Sequence, residues 1–323
     1  MNAPYLSAFA RHETFHPRYG WMRKAVVASS ESTDVFLQPD ASVTLGVGKN
    51  MVRAIRYWAL AVRVLEEVPL AGRPRLSGVT PSPLGQFLLG PNGVDPYLEE
   101  PVSLWLLHWQ LVRRGSIAAA WYLAFNSFPH RDFADELLVD WLTRSTRSGA
   151  GTTVARSSLE KDVSCLLRMY GPAPSDVPET LVSPFSSLHL VDRTNEKPVA
   201  YRITYGPKSG LRPALVAISA MDLMRSVDTE TRSIGIGRLA SEAGSPGRAF
   251  GLSENEIASA LEEIAAADVG LEVGLYAGAR RMHVSDEPRL VLPRLVQLLY
   301  PRSVGNDIDL DVLAPPSRLE DAA

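Results

Sequence analysis

One cysteine, Cys165, stands in a chain of 323 residues, which excludes an internal disulfide. A reducing cytosol fits that usage. Its neighbours Val163, Leu166, Leu167 and Met169 make it buried core rather than a reactive thiol. No apolar run reaches the roughly 18 residues that cross a bilayer. The opening residues MNAPYLSAFARHE lack a basic start followed by a long apolar core, so no secretory signal is read. A cytoplasmic protein without a membrane partner is expected. A large excess of either charge is also missing: 33 Lys and Arg against 36 Asp and Glu leave −3, which excludes a uniformly basic nucleic-acid coat. No GxxxxGK, no GxGxxG after a strand and no GxSxG is present. The segment from Gly46 to Lys49 has glycines and a lysine but not the P-loop spacing, so no nucleotide cofactor is expected.

The charge that is present is distributed unevenly. Residues 1–80 hold ten Lys and Arg against six Asp and Glu, and residues 144–168 hold five against two. From residue 306 onward there is one against five. Local basic patches and an acidic tail allow DNA binding on one face.

The richest stretch is Leu45 to Trp58, LGVGKNMVRAIRYW. Gly46 and Gly48 permit a tight turn and close approach of a bulky ligand. Spacings of three and four place Lys49, Arg53 and Arg56 on one helical face, with Asn50 in the same first turns. Met51, Val52, Ile55 and Trp58 make an apolar face beside it. A turn followed by a basic helix N-terminus is the shape of a recognition helix on a phosphate backbone. The same pattern also suits an amphipathic helix with a solvated basic side.

The phrase Phe9 to Trp21 packs acid, imidazole, guanidinium and aromatic groups into one short arm. His12-Glu13-Thr14-Phe15-His16 matches the two-histidine zinc pattern, which needs both rings one turn apart on a helix. Pro17 follows at once and pushes His16 away from helical angles, which disfavours a zinc protease, a reading that would require bound zinc. Two readings remain. In one, His12 and Glu13 bind a metal or move a proton. Arg11, Arg18 and Lys24 then hold phosphate, while Phe15, Tyr19 or Trp21 stack on bases. In the other, Phe9, Phe15 and Trp21 anchor the arm to the core and Glu13 pairs with an arginine.

The length suits two or three domains. Residues 1–90 read as a winged-helix-like, DNA-binding domain. A helix spans Trp21 to Ser29, extended pieces lie at Asp34 to Leu37 and Ser42 to Leu45, and a long helix runs from Lys49 to Val68 before Pro69. Hairpin arms follow at Arg75 to Pro81 and Leu84 to Leu89. Residues 91–180 read as a helical domain. Trp105, Leu106, Trp109 and Val112 recur at helical spacing and read as core. Ser157, three residues before Glu160, reads as the cap of another helix. Residues 181–213 read as a Pro-rich linker with short strands near Leu188 and Tyr201. Residues 214–302 read as a second winged-helix-like domain: a helix over Pro213 to Arg225, a short helix from Ile236, a helix over Glu254 to Ala267 capped by Ser253, and two wing strands. The Glu254 helix is acidic, so it suits protein contacts better than DNA. Residues 303–323 read as an acidic, disordered tail. The fold class is mainly α with small β-hairpins, two winged-helix-like modules joined by a helical middle.

Four phrases in order, HETFHPRYGW, LGVGKNMVRAIRYW, DPYLEEPVSLWLLHWQL and SLEKDVSCLLRMY, resemble the SspB component of bacterial DNA phosphorothioation systems, a domain formerly of unknown function. The resemblance covers roughly residues 8–300. It implies a DNA nicking endonuclease acting in phosphorothioate modification and anti-phage defence. It also implies partners: DNA, a cysteine desulfurase, an ATPase and an ATP-pyrophosphatase-like enzyme. A metal-assisted phosphodiester cut would call for a divalent ion such as Mg or Mn, with Asp34 and Asp40 as possible extra ligands. His12 and Glu13 are assigned as catalytic from their chemistry, not from the family. The alternative is a non-catalytic DNA-binding adaptor or transcriptional regulator.

Overall fold

The computed structural model describes residues 5, 8–73, 75–150, 153–173, 176–178, 181–194, 201–227, 231–276, 278–301 and 313. It begins with three helices, α1 (Trp21–Glu31), α2 (Ala41–Thr44) and α3 (Lys49–Ala61), followed by the antiparallel strands β1 (Leu65–Pro69) and β2 (Ser77–Pro81). Helix α1 packs on α3 and on β2. Trp21, Met22, Ala25 and Val26 are its inward face, while Val52, Ile55 and Trp58 are that of α3.

Three local expectations change here. Residues 34–37 are not extended: Val35–Leu37 is a 3₁₀ turn, and Ser42 to Thr44 lie in α2. Asp34 explains the turn, because its carboxylate accepts hydrogen bonds from Ser32 Oγ (2.8 Å) and Gln38 Nε2 (2.9 Å), a local network that competes with extended pairing. The long helix stops at Ala61 rather than Val68. Arg63 then turns left-handed at φ 61°, held by Ser82 Oγ on its carbonyl (2.6 Å) and by its own guanidinium on the Arg114 carbonyl (2.8 Å). These tertiary contacts override the helical pattern and free Leu65–Pro69 to pair as a strand. Finally, Leu84 to Leu89 is no hairpin arm but part of α4 (Pro83–Leu89), which Ser82 caps through the Gly85 N–H (3.0 Å).

The middle of the chain holds α5 (Pro101–Val112), α6 (Ala119–Asn126), β3 (Asp132–Phe133), α7 (Asp135–Ala150) and α8 (Arg156–Tyr170). In α6 every residue is buried, and in α5 every residue after Pro101, as befits helices that are apolar all round. Helix α8 starts one residue ahead of Ser157, with Ala155 at its N-cap and no side-chain cap. Arg156 reaches both Asp140 (2.5 Å) and Glu160 (3.0 Å), extending the helix backward. The Pro-rich stretch supplies β4 (Val191–Arg193) and β5 (Tyr201–Ile203), which join β3 in the antiparallel order β3-β5-β4.

The last part runs α9 (Pro213–Val227), β6 (Ser233–Gly235), α10 (Ile236–Ser241), α11 (Pro246–Phe250), α12 (Glu254–Ala266), β7 (Leu271–Tyr276), β8 (Ala279–Val284) and α13 (Pro288–Leu299). Its sheet has the antiparallel order β6-β8-β7. Ser253 and Glu256 form the reciprocal capping box of α12. The expected loop at Ser245 contains α11, capped by Ser245 and closed by Gly251 at φ 66°. The whole is mainly α with small antiparallel sheets. Its buried apolar residues form one cluster from Tyr5 to Leu313. Apart from the buried Leu313, the acidic tail lies outside the described residues. No helix among the described residues is long and apolar enough to cross a membrane.

His108 lies at the centre of this core and is fully buried. Its Nε2 donates to the Ala249 carbonyl (2.7 Å), since a carbonyl only accepts. Nδ1 therefore accepts from the Tyr170 hydroxyl (2.7 Å). Burial pushes its pKa down from 6.5 to about 4, with the Ala249 bond partly opposing. The unfolded chain thus binds a proton that the native ring refuses until about pH 4. Native stability is expected to fall as pH drops from about 6.5 to about 4, by on the order of 3 kcal/mol from this ring. Urea denaturation across that window, on wild type and His108→Gln, checks this: the variant should lack that part of the acid slope.

Candidate nucleic-acid interface

Three of the four sequence phrases meet around one ring. His12 is fully buried, and its Nε2 lies 2.8 Å from Asp162 Oδ1 on α8. The ring stacks on Trp58 of α3 (centroids 6.0 Å apart, 26° between planes) and meets Trp121 of α6 edge-on (5.6 Å, 75°). Tyr57 completes the box at 6.2 Å. Asp162 Oδ1 also accepts the Ala10 N–H (2.9 Å). Burial raises the Asp162 pKa, opposed by the bonds from His12 and Ala10.

Residues 11–16 form no helix. Ala10, Glu13 and Thr14 take left-handed angles, φ 53°, 51° and 66°, at a cost of roughly 1–2 kcal/mol each for residues with a Cβ. The tethers that hold them are specific. Asp162 takes the Ala10 N–H, Arg168 Nη2 donates to the Thr14 carbonyl (2.8 Å), and Trp58 Nε1 donates to the Phe15 carbonyl (2.8 Å). His16 Nε2 bonds the Leu181 carbonyl (2.9 Å), and burial lowers its pKa. The two histidines of the zinc-like pattern thus serve different partners. Among the described residues no three His, Cys, Asp or Glu side chains form a metal-binding group.

The other expected residues lie on the outer side of this assembly. Arg11, Lys24, Lys49, Asn50 and Arg53 are exposed. Gly46 takes φ 60°, and Gly48 is the N-cap of α3, so the turn that presents Lys49 and Asn50 forms where the glycines allow it. Lys24 Nζ donates to the Leu45 carbonyl (2.6 Å), tying α1 to that turn. Glu13 is half-buried and lies 3.4 Å from Arg53, whose side chain is 66 % exposed. The expected pairing of Glu13 with an arginine is present, and an exposed pair of this kind is worth little stability. Arg56 differs from its neighbours: its Nη2 reaches Glu67 Oε1 (2.9 Å) and the Ser77 carbonyl (3.3 Å), so it braces the hairpin. Arg18 sits over the Phe15 and Trp21 rings at 5.7 and 5.6 Å. Asp34 is held by Ser32 and Gln38, which depress its pKa, and Asp40 precedes α2 without capping it.

Asp162 and Trp121 are the site members that pattern reading passed over, while Trp58 was read only as part of the apolar face of α3. Asp162 carried a signal: it sits in the apolar stripe Leu159, Val163, Leu166 of an amphipathic helix, where a carboxylate needs a buried partner. Beside the arm, a cavity of about 460 Å³ opens between α7 and α8, walled by His16, Asp135, Val163, Leu167 and Arg168. Arg168 thus belongs to both the arm and the cavity.

The chain matches the family described as protein of unknown function DUF4007 over residues 9–300. It is similar to two crystal structures of SspB at 34 % identity and TM-score 0.86. The alignment covers 96 % of this chain and 93 % of the magnesium ion-bound one, and 98 % and 95 % for the other. No curated protein matches it.

Removing Asp162 would leave His12 Nε2 and the Ala10 N–H without their partner. Asp162→Ala is expected to destabilise the protein by about 1–3 kcal/mol for each of the two groups it orphans. A chemical denaturation midpoint measures this, and Glu13→Ala, which breaks only the exposed pair, should move it by less than about 1 kcal/mol.

Proposed function

The chain belongs to the DUF4007 family and is SspB-like over nearly its whole length, and on that premise we propose that it is the DNA-binding, strand-nicking component of a phosphorothioation system. The observation that carries the reading is the exposed row Lys49, Asn50 and Arg53 on the first turns of α3, presented by a glycine turn and braced from behind by the His12–Asp162 core. Helix N-termini and basic side chains both attract phosphate. The order α1, α2, α3, β1, β2 suits a winged helix in which α3 would take the recognition position. Arg11, Arg18 and Lys24 extend the basic face along the arm and α1.

The order α9, β6, α10, α11, α12, β7, β8 also suits a winged helix. Here the helix in the recognition position, α12, carries Glu254, Glu256, Glu262 and Glu263. Phosphate is repelled from that surface, so the second module serves the protein partners of the system, and DNA lies on the first.

The nick requires a group that activates water and a clamp for the leaving phosphate. Glu13 is the carboxylate at the rim of the basic face, beside Arg53. Magnesium sites on phosphate esters need only one or two protein carboxylates, the rest being phosphate and water. Glu13 could share a divalent ion in that way. His12 acts differently: buried on Asp162, it positions the arm that carries Glu13.

Two sets of variants separate holding from cutting. Lys49→Ala with Arg53→Ala should weaken duplex binding and reduce the slope of log affinity against log salt by about two, one for each phosphate no longer neutralised. Glu13→Gln should keep that slope and lose relaxation of supercoiled plasmid in Mg²⁺. Wild-type protein that binds DNA but never relaxes the plasmid, alone or with the rest of the system, would leave a non-catalytic adaptor as the function.

A further inference from the structure

We propose that Tyr97, backed by Arg23, is a stacking platform for an unpaired nucleobase at the edge of the α3 face. The inference rests on the DNA-holding reading above and adds a subsite for single-stranded DNA to it.

Tyr97 is 65 % exposed, the highest value among the large exposed aromatic residues described. The Arg23 guanidinium covers one side of it, 4.4 Å from the ring centroid. A planar cation on one ring face leaves the other for a second planar group, the arrangement with which aromatic and guanidinium side chains take up single-stranded bases.

The loop that presents this ring is built rigidly. Asp95 is buried, and its two carboxylate oxygens accept the backbone N–H groups of Glu99 (2.8 Å) and Glu100 (3.0 Å). Leu98 takes a left-handed φ of 57° and packs against the core. Glu100 is tied down by Arg212 at 2.9 Å. The loop thus accepts a strained leucine and commits a buried carboxylate, and the side chain it holds outward is an aromatic that adds little to the core. Such strain, held by its surroundings, concentrates at functional sites.

Position ties the ring to DNA rather than to an unrelated surface. Arg23 precedes Lys24 on the solvent side of α1, and Lys24 bonds the Leu45 carbonyl in the turn that opens α3. The Arg23–Tyr97 contact and the Lys24–Leu45 bond, made by neighbouring residues of α1, thus link the ring to the turn that opens α3. Glu99, exposed two residues further along the loop, adds negative charge that disfavours phosphate there, so the contact is with a base. Duplex DNA offers no unstacked base. A strand that has been opened or gapped does.

Fluorescence anisotropy with two labelled probes, an intact duplex and the same duplex with a short single-stranded gap, tests this. Tyr97→Ala should lower affinity for the gapped probe about tenfold, equivalent to ~1.4 kcal/mol, and leave intact-duplex affinity within about twofold. Tyr97→Phe, which keeps the ring, should bind both probes like wild type. In wild type, 5-iododeoxyuridine placed in the gap should photocrosslink to Tyr97, a readout that does not depend on a folded variant. Equal gapped-probe affinity of Tyr97→Ala and wild type, or crosslinks elsewhere only, would overturn the inference while leaving the α3 reading intact. If Tyr97→Ala weakens both probes equally, the ring has no preference for unpaired bases and the inference falls. If wild type binds neither probe, the DNA-holding reading fails and this subsite fails with it.

Discussion

The hydrogen bond between His12 and Asp162 is the contact on which the rest of the site depends. It joins residues separated by most of the first half of the chain, inside a box of Tyr57, Trp58 and Trp121 that admits no solvent. A buried carboxylate without this partner would be costly, and so would a buried ring without an acceptor. The arm around His12 bends through three left-handed residues that carry a Cβ. Its angles persist because Asp162, Arg168 and Trp58 each hold a backbone group of the arm. Loss of any of these anchors would let the strained segment relax, and Glu13 would no longer sit beside Arg53.

The core and the surface above it therefore have different tasks. Below, aromatic rings, the His12–Asp162 pair and the bonds from Ala10, Trp58 and Arg168 hold α3, α6, α8 and the arm in register. Above, the first turns of α3 show Lys49, Asn50 and Arg53 to solvent. Arg56 lies on the same helical face but spends its charge on Glu67 and the hairpin, which stiffens the proposed wing instead of widening the basic surface. The acidic α12 provides the opposite surface chemistry on a similar order of elements. One chain thus carries exposed basic residues at the start of α3 and exposed acidic residues on α12.

Much of this was legible in the residues alone. The glycines at 46 and 48 place the start of α3 correctly, and Ser253 marks the start of α12 as its cap. The tryptophan run of α5 is core, as its spacing implies. Pro17 correctly rules out a helix through His16. The end of α3 was not legible, because it is decided at Arg63 by contacts with Ser82 and Arg114, residues distant in sequence. The partner of His12 was half-legible: Asp162 interrupts an apolar stripe, which demands a partner but does not say which. Charge pattern alone placed Arg56 with Lys49 and Arg53, and only the fold shows it turned toward Glu67.

The central claim is that the arm, α1 and the start of α3 form one unit that holds DNA. Amide hydrogen exchange on the full chain, with and without a duplex, tests it most directly. The account predicts added protection at residues 11–24 and 45–56 and none on α12. Protection confined to α12 and the β7–β8 hairpin, with residues 45–56 unchanged, would contradict it.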